Sequence, residues 1–209
     1  MKDETPVDLW AIERSLFEQG LQLICGVDEA GRGPLAGPVC AAAVILPAGQ
    51  SIPGLNDSKK VAPRMRERLY DEITACACTW GVAFATPEEI DTYNILQATF
   101  LAMERAMAQL DPQPQLALVD GNRAWESAVP VQTVVRGDSL SASIAAASIL
   151  AKVTRDRYME QMDAQYPQYG FAVHKGYPTK RHYAALRECG PCPIHRQSFL
   201  KKFYAEQQR

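Results

Sequence analysis

Leu21-Gln-Leu-Ile-Cys-Gly-Val-Asp28, Glu29-Ala-Gly-Arg-Gly-Pro-Leu-Ala-Gly-Pro38 and Val39-Cys-Ala-Ala-Ala-Val-Ile-Leu46 follow one another directly. The outer two are apolar runs of strand length, the first closed by a carboxylate, and the middle one is dense in turn formers. They read as two strands joined by a constrained connection. Pro47 to Lys60 is a loop, Ala62 to Cys76 carries Met65, Leu69 and Ile73 at helical spacing, and Thr79 to Thr86 is a third strand. Asn94 to Leu110 is an amphipathic helix stopped by Asp111-Pro112. Two short apolar strands follow, Leu116 to Val119 before Asp120-Gly121 and Val131 to Val135 before Arg136-Gly137-Asp138. In the helix from Leu140 to Met162, small residues such as Ala142, Ala146 and Ala151 permit close approach to a sheet. Helices near Thr179 to Glu188 and Gln197 to Gln208 end the chain. The pattern predicts an α/β fold, a mixed five-stranded sheet flanked by helices.

With 209 residues and 47% hydrophobic composition, one main core is expected. The net charge of −2 hides an asymmetry: Phe171 to Arg209 holds eight Lys or Arg against two Glu. We divide the chain into a body, 1–170, and a basic C-terminal helical extension, 171–209, suited to phosphates. There is no apolar run of about 18 residues, and Met1 to Trp10 is acidic where a secretion signal is basic and then apolar. The expectation is a soluble cytoplasmic monomer, away from membranes. Six cysteines, unevenly spaced, suit reduced thiols better than a disulfide scaffold.

Asp28 with Glu29, Asp120 and Asp138 each follow an apolar strand. Strand ends are where open α/β sheets build ligand sites. A lone Asp there is usually a cap or turn former, but four together predict convergence. Crowded carboxylates raise one another's pKa and resist full ionisation without a cation. All-oxygen donors lacking a nearby histidine favour Mg²⁺ or Mn²⁺ over zinc. Two such ions can clamp an in-line phosphoryl displacement, so the implied reaction is phosphodiester hydrolysis.

The blocks Gly26 to Pro38, Asn56 to Lys60, Val119 to Gly121, Gly137-Asp138, Ser143 to Ile149, Ala151 to Val153 and Lys175-Gly-Tyr177 closely resemble the signature blocks of the ribonuclease HII family. They fall in the expected order over about residues 24 to 199. The resemblance implies an RNase H-like fold and a two-metal site on Asp28, Glu29, Asp120 and Asp138. It also implies that the turn Gly31-Arg32-Gly33 brings backbone groups to a ribose 2′-OH, and that Tyr177 stacks on the next sugar. Lys59 and Lys60 look like phosphate contacts, joined by Lys175, Lys180 and Arg181 of the extension. The implied substrates are RNA/DNA hybrids and duplex DNA with embedded ribonucleotides, cut 5′ of the ribonucleotide to leave 3′-OH and 5′-phosphate ends, as DNA replication and repair require. The ribonuclease HIII subfamily is disfavoured, because about 20 residues precede the first strand and that subfamily carries an added N-terminal domain.

Other motifs compete. Cys189-Gly-Pro-Cys192 has the spacing of thioredoxin-like oxidoreductases but follows a helix and precedes Pro193, where no such fold has room. A zinc site joining it to Cys76 and Cys78 is a further reading. A non-catalytic nucleic-acid-binding module would explain the basic extension but not the four acids. Residues 197–204 have the Gln-X-X-Leu-X-X-Phe-Tyr spacing of sliding-clamp peptides, although the same aromatics also suit packing of the tail. Ser139, Ser141 and Ser143 at a helix start suit either a phosphate or the holding of Asp138. Arg155 and Asp156 are expected in structural ion pairs, and His195-Arg196 in a structural role.

Overall fold

A computed structural model describes residues 7–207. The acidic start, Met1 to Pro6, and the last two residues lie outside them. The chain order is helix α1 (Ala11–Glu18), strands β1 (Ile24–Ala30) and β2 (Val39–Ile45), α2 (Pro63–Cys76), β3 (Thr79–Ala85), α3 (Pro87–Met107), β4 (Leu116–Asp120) and β5 (Val131–Val134). A 3₁₀ turn (Gly137–Ser139) leads into α4 (Ala142–Gln165), and α5 (Phe171–His174), α6 (Lys180–Cys189) and α7 (Lys201–Gln207) complete the chain. The strands form one sheet in the order β3-β2-β1-β4-β5. β1 pairs antiparallel with β2 and parallel with β4, so the sheet is mixed, as expected.

Alternation along the strands sorts the core into two layers. Cys25 and Val27 of β1 join Val39, Ala41, Ala43 and Ile45 of β2 against α3. Cys40, Ala42 and Val44 face the other way, onto α2 and α4. β2 is buried on both faces, which accounts for its unbroken apolar sequence. A Cβ on Gly26 would collide with the α4 backbone at Ser143 and Ile144. That glycine and the alanines of α4 let helix and strand touch main chain to main chain.

Three expectations shift. β1 starts three residues later and continues through Asp28 and Glu29, so both acids stand on the strand and not beyond it. α3 starts at Pro87, seven residues before the expected Asn94. Thr86 accepts from the Glu89 N–H while Glu89 reaches back to the Thr86 N–H, a reciprocal cap. Asn94 itself sits at φ 69°, a kink that breaks the apolar periodicity. The short α1 and the four-residue α5 were not among the expected elements.

The C-terminal segment packs through Leu200 and Phe203, both buried with Leu35, Met159, Phe171 and Leu186. Among the described residues no helix is long and apolar enough to cross a membrane.

Candidate active site

β1 and β4 are parallel neighbours with Val27 paired to Val119, so Asp28 and Asp120, one residue further on, stand side by side. The Gly137 N–H donates to Asp120 Oδ1 at 2.7 Å, which brings the turn bearing Asp138 against the same strand end. Asp28, Asp120 and Asp138 thereby each offer an oxygen within 4.8 Å of the others. Glu29 leaves β1 on the opposite face, toward α3, and meets Arg32 at 3.3 Å. It lies between two clefts: one of about 270 Å³ containing Asp28, Lys59 and Tyr177, the other bordered by Asp120, Phe100 and Arg123. The structure therefore brings three of the four expected acids into one cluster and places Glu29 at its edge.

The electrostatics are those of a site built for cations. Burial, reinforced by Glu29 and Asp120, pushes Asp28 well above the usual carboxylate range. Asp138 is raised by burial and then by Asp120 and Asp57. Burial also raises Glu29, against the pull of Arg32. For Lys59, burial acts to lower the pKa, but Asp28, Asp57, Asp138 and Asp120 together outweigh it and leave the ammonium raised. Three hard oxygen donors at this spacing, with Asp28 and Asp138 resisting ionisation, fit a divalent cation.

Asp57 was not among the residues expected here. It caps its own loop by accepting from the Lys59 N–H at 2.9 Å and sits against Asp138. Its presence in the Asn56 to Lys60 block was the available signal, but nothing local says that the loop folds back on the site. Ser58 and Ser148, both buried, are joined at 2.9 Å, and Ser148 also bonds Asp28. Glu13 is a second unforeseen group: fully buried, it accepts from Ser141 Oγ at 2.6 Å and from the Ser143 N–H at 3.0 Å. The serines at the start of α4 are thus occupied by Glu13, which anchors that helix end beside Asp138.

Lys59 lines the cleft with Asp28, whereas Lys60 reaches Ser139 Oγ at 3.0 Å. Lys175 is engaged by Glu160 at 2.6 Å. Gly31, Arg32 and Gly33 form one wall of the cleft, and the Tyr177 ring, 43% exposed, stands over Gly33. Gly31, at φ +98°, gives up its Cβ to make room for Arg155 behind the turn, so the open approach is at Gly33. Asp156 pairs with Lys152 at 2.7 Å, as expected. Among the described residues Arg155 forms no ion pair; its guanidinium is spent on main-chain carbonyls. Cys189, exposed, and Cys192, buried, are free thiols, and so are the half-buried Cys76 and the exposed Cys78.

A mixed sheet with strand order 3-2-1-4-5 places the chain in the RNase H-like class, and the acids at the ends of its central parallel pair give the site. A solved ribonuclease H2 from Pyrococcus horikoshii OT3 superposes with a TM-score of 0.73 at 28% identity, covering 90% of this chain and 98% of its own. The family model for ribonuclease HII matches residues 25–202. Curated ribonucleases HII share 52% identity over 92% of this chain and 76% of their own length in Ruminiclostridium cellulolyticum. In Burkholderia thailandensis the figures are 56%, 88% and 86%. The chain belongs to the ribonuclease HII family, and is accordingly a ribonuclease H, a hydrolase of nucleic acid.

Proposed function

We propose that this protein hydrolyses the phosphodiester 5′ of ribonucleotides in RNA/DNA hybrids, and of single ribonucleotides embedded in duplex DNA, leaving 3′-OH and 5′-phosphate ends. Its role would be ribonucleotide removal in DNA replication and repair, as a cytoplasmic monomer. The observation that carries this reading is the acid trio within 4.8 Å, opening on a cleft walled by Gly31–Gly33 and Tyr177. The site pairs a place for phosphate chemistry with a wall shaped for a sugar.

Asp28, Asp120 and Asp138 would hold Mg²⁺ or Mn²⁺, with Glu29 at the edge of the set. Bound there, two such ions would supply the charge for activating water and stabilising the leaving oxygen of an in-line displacement. The remaining work falls to the chain. Lys59, held near the acids, meets the incoming phosphate. The N–H groups of the Gly31–Gly33 turn donate to the 2′-OH, the group that separates RNA from DNA at one position. Tyr177 stacks on the following sugar and fixes its register. We read residues 171–209 as an extension that carries Tyr177 and packs on the catalytic body.

The test is cleavage of end-labelled duplexes: one embedded ribonucleotide, all DNA, and an RNA/DNA hybrid, each with Mg²⁺, Mn²⁺ or chelator. The expected product is a metal-dependent nick 5′ of the single ribonucleotide, absent from all DNA. Tyr177→Ala should weaken that cleavage more than it lowers thermal stability. Cleavage of the hybrid alone would keep the nuclease and remove the assigned roles of Gly31, Gly33 and Tyr177.

A further inference from the structure

Two arginines lie behind the ribose wall, and neither faces solvent: Arg155 of α4 is 1% exposed and Arg196, after α6, is 0%. Among the described residues neither makes a salt bridge. Burial, and then Arg155 itself, holds the Arg196 guanidinium down to about 9. Each spends its fork on carbonyls of the connection between β1 and β2. Arg196 donates to Gly31 O at 2.6 Å, Arg32 O at 3.0 Å and Gly37 O at 2.8 Å. Arg155 donates to Pro38 O at 3.0 Å, Ala36 O at 3.1 Å and, across the gap, Lys175 O at 3.1 Å.

Two buried cations without counter-charges are a poor way to stabilise a fold, since apolar side chains of the same volume do as well or better. Their geometry has another consequence. In a trans peptide the C=O and the following N–H point in opposite directions. With the carbonyls of Gly31 and Arg32 captured from behind, the N–H groups of Arg32 and Gly33 face forward into the cleft. Among the described residues, neither N–H donates to a protein acceptor. They are free donors held at a fixed angle beside the Tyr177 ring.

We propose that Arg196, assisted by Arg155, is a positioning residue for ribose recognition: by holding the Gly31 and Arg32 carbonyls it aims the next two N–H groups at the 2′-hydroxyl. Arg155 packs behind Gly31 and, because its one guanidinium bonds both the Ala36–Pro38 end of the same connection and Lys175 O, it sets the distance between that connection and the Lys175–Tyr177 turn. The inference rests on the reading of Gly31–Gly33 as the ribose wall. Lysine is the informative replacement, since a single ammonium keeps the charge but loses the planar fork that spans three carbonyls.

Binding without turnover is measured in an Asp120→Asn background, with and without Arg196→Lys, on two duplexes that differ only in one 2′-hydroxyl. Single-turnover cleavage is measured with Arg196→Lys alone. The expected result is that Arg196→Lys removes most of the affinity difference between the duplexes and slows cleavage by roughly 10- to 100-fold. Affinity for the all-DNA duplex and for Mn²⁺ should stay unchanged. An Arg196→Lys protein that folds and keeps the wild-type preference overturns the inference, as does one that loses both affinities together with thermal stability, the signature of a merely structural role. Absence of any preference in the Asp120→Asn background itself would overturn the ribose-wall reading instead. Should Arg196→Lys fail to fold, Arg155→Lys takes the same test. Beside it, the Arg32 and Gly33 amide resonances of the Asp120→Asn protein must shift with the ribonucleotide duplex and not with DNA; unshifted amides overturn the inference.

Discussion

The Gly137 N–H lies 2.7 Å from Asp120 Oδ1, so the residue immediately before Asp138 is bonded to the acid that Asp138 must approach. One hydrogen bond thus couples two of the three clustered carboxylates. It also makes an isosteric test clean, because Asp120→Asn retains an oxygen to accept from Gly137 while removing one of the three clustered charges. We expect Asp120→Asn to fold with a thermal midpoint near wild type. Its turnover should fall by more than the roughly 10- to 100-fold that loss of an outer-shell partner costs a metal site. Single-turnover cleavage beside circular dichroism checks both halves, and a variant within tenfold of wild type would remove Asp120 from the site.

How much of this was legible in the sequence depends on the range over which each contact is encoded. Asp28, Asp120 and Asp138 were legible because an apolar strand announces its own end and parallel neighbours bring such ends together. Glu29 was read with them as lying at or beyond the strand end; β1 in fact runs on through it, and the pleat turns it toward α3. Asp57 and Glu13 reach the site from far earlier in the chain than α4, on a loop and a short helix whose local sequence does not say where they fold back. Arg155 was misjudged, and the particular partners of Arg196 went unforeseen, for a different reason. Their partners are carbonyl groups, which every residue has, so composition around them carries no trace of the contact.

Crowding gives the second prediction. Asp28 and Asp138 have folded-state pKa values above the ordinary 3.8, mainly through burial. Groups shifted this way favour the fold when protonated, and that contribution is lost as pH rises through the folded pKa. In chelator at pH 7, Asp28→Asn should therefore raise the thermal midpoint by a few degrees. For wild type, Mg²⁺ or Mn²⁺ should supply the missing stabilisation by mass action. Scanning calorimetry with chelator and with metal checks both, and a lower midpoint for the variant in chelator would contradict the crowding argument.

Acid acts in the opposite sense on the histidines beneath Tyr177. The Cys192 N–H donates to His195 Nδ1 at 2.9 Å, the two Nε2 atoms of His195 and His182 are 3.0 Å apart, and His182 Nδ1 meets the Tyr177 carbonyl at 3.0 Å. One assignment satisfies all three bonds with both rings neutral: His195 carries its proton on Nε2 and His182 on Nδ1. Burial holds each at about 4, below the ordinary 6.5. The neutral form stabilises the fold above pH 6.5, and the contribution is lost as pH falls toward 4. At pH 5 one such histidine accounts for about 2 kcal/mol. Urea unfolding between pH 7 and 4.5 should show a shallower loss for His182→Gln than for wild type. Parallel curves would mean that the pair does not titrate in this range.

The last prediction separates two uses of residues 197–204. Leu200 and Phe203, the apolar anchors of the clamp-like spacing, are buried in the body at 0% and 4% exposure, and Gln197 and Ser198 are tied by their N–H groups to Asp91 at 2.8 and 2.9 Å. A peptide that inserts Leu and Phe into a clamp must first withdraw them from this core. Leu200→Ala should then cost roughly 2–5 kcal/mol, as large-to-small changes in a packed interior do. In a chain of this size each kcal/mol lowers the thermal midpoint by about 2–4 °C. If the segment serves packing alone, removal of residues 197–209 destabilises the protein and leaves binding to an added sliding clamp unchanged. If Leu200→Ala is stable while clamp binding disappears, the segment is a docking peptide, and its buried position is a resting state from which the clamp draws it.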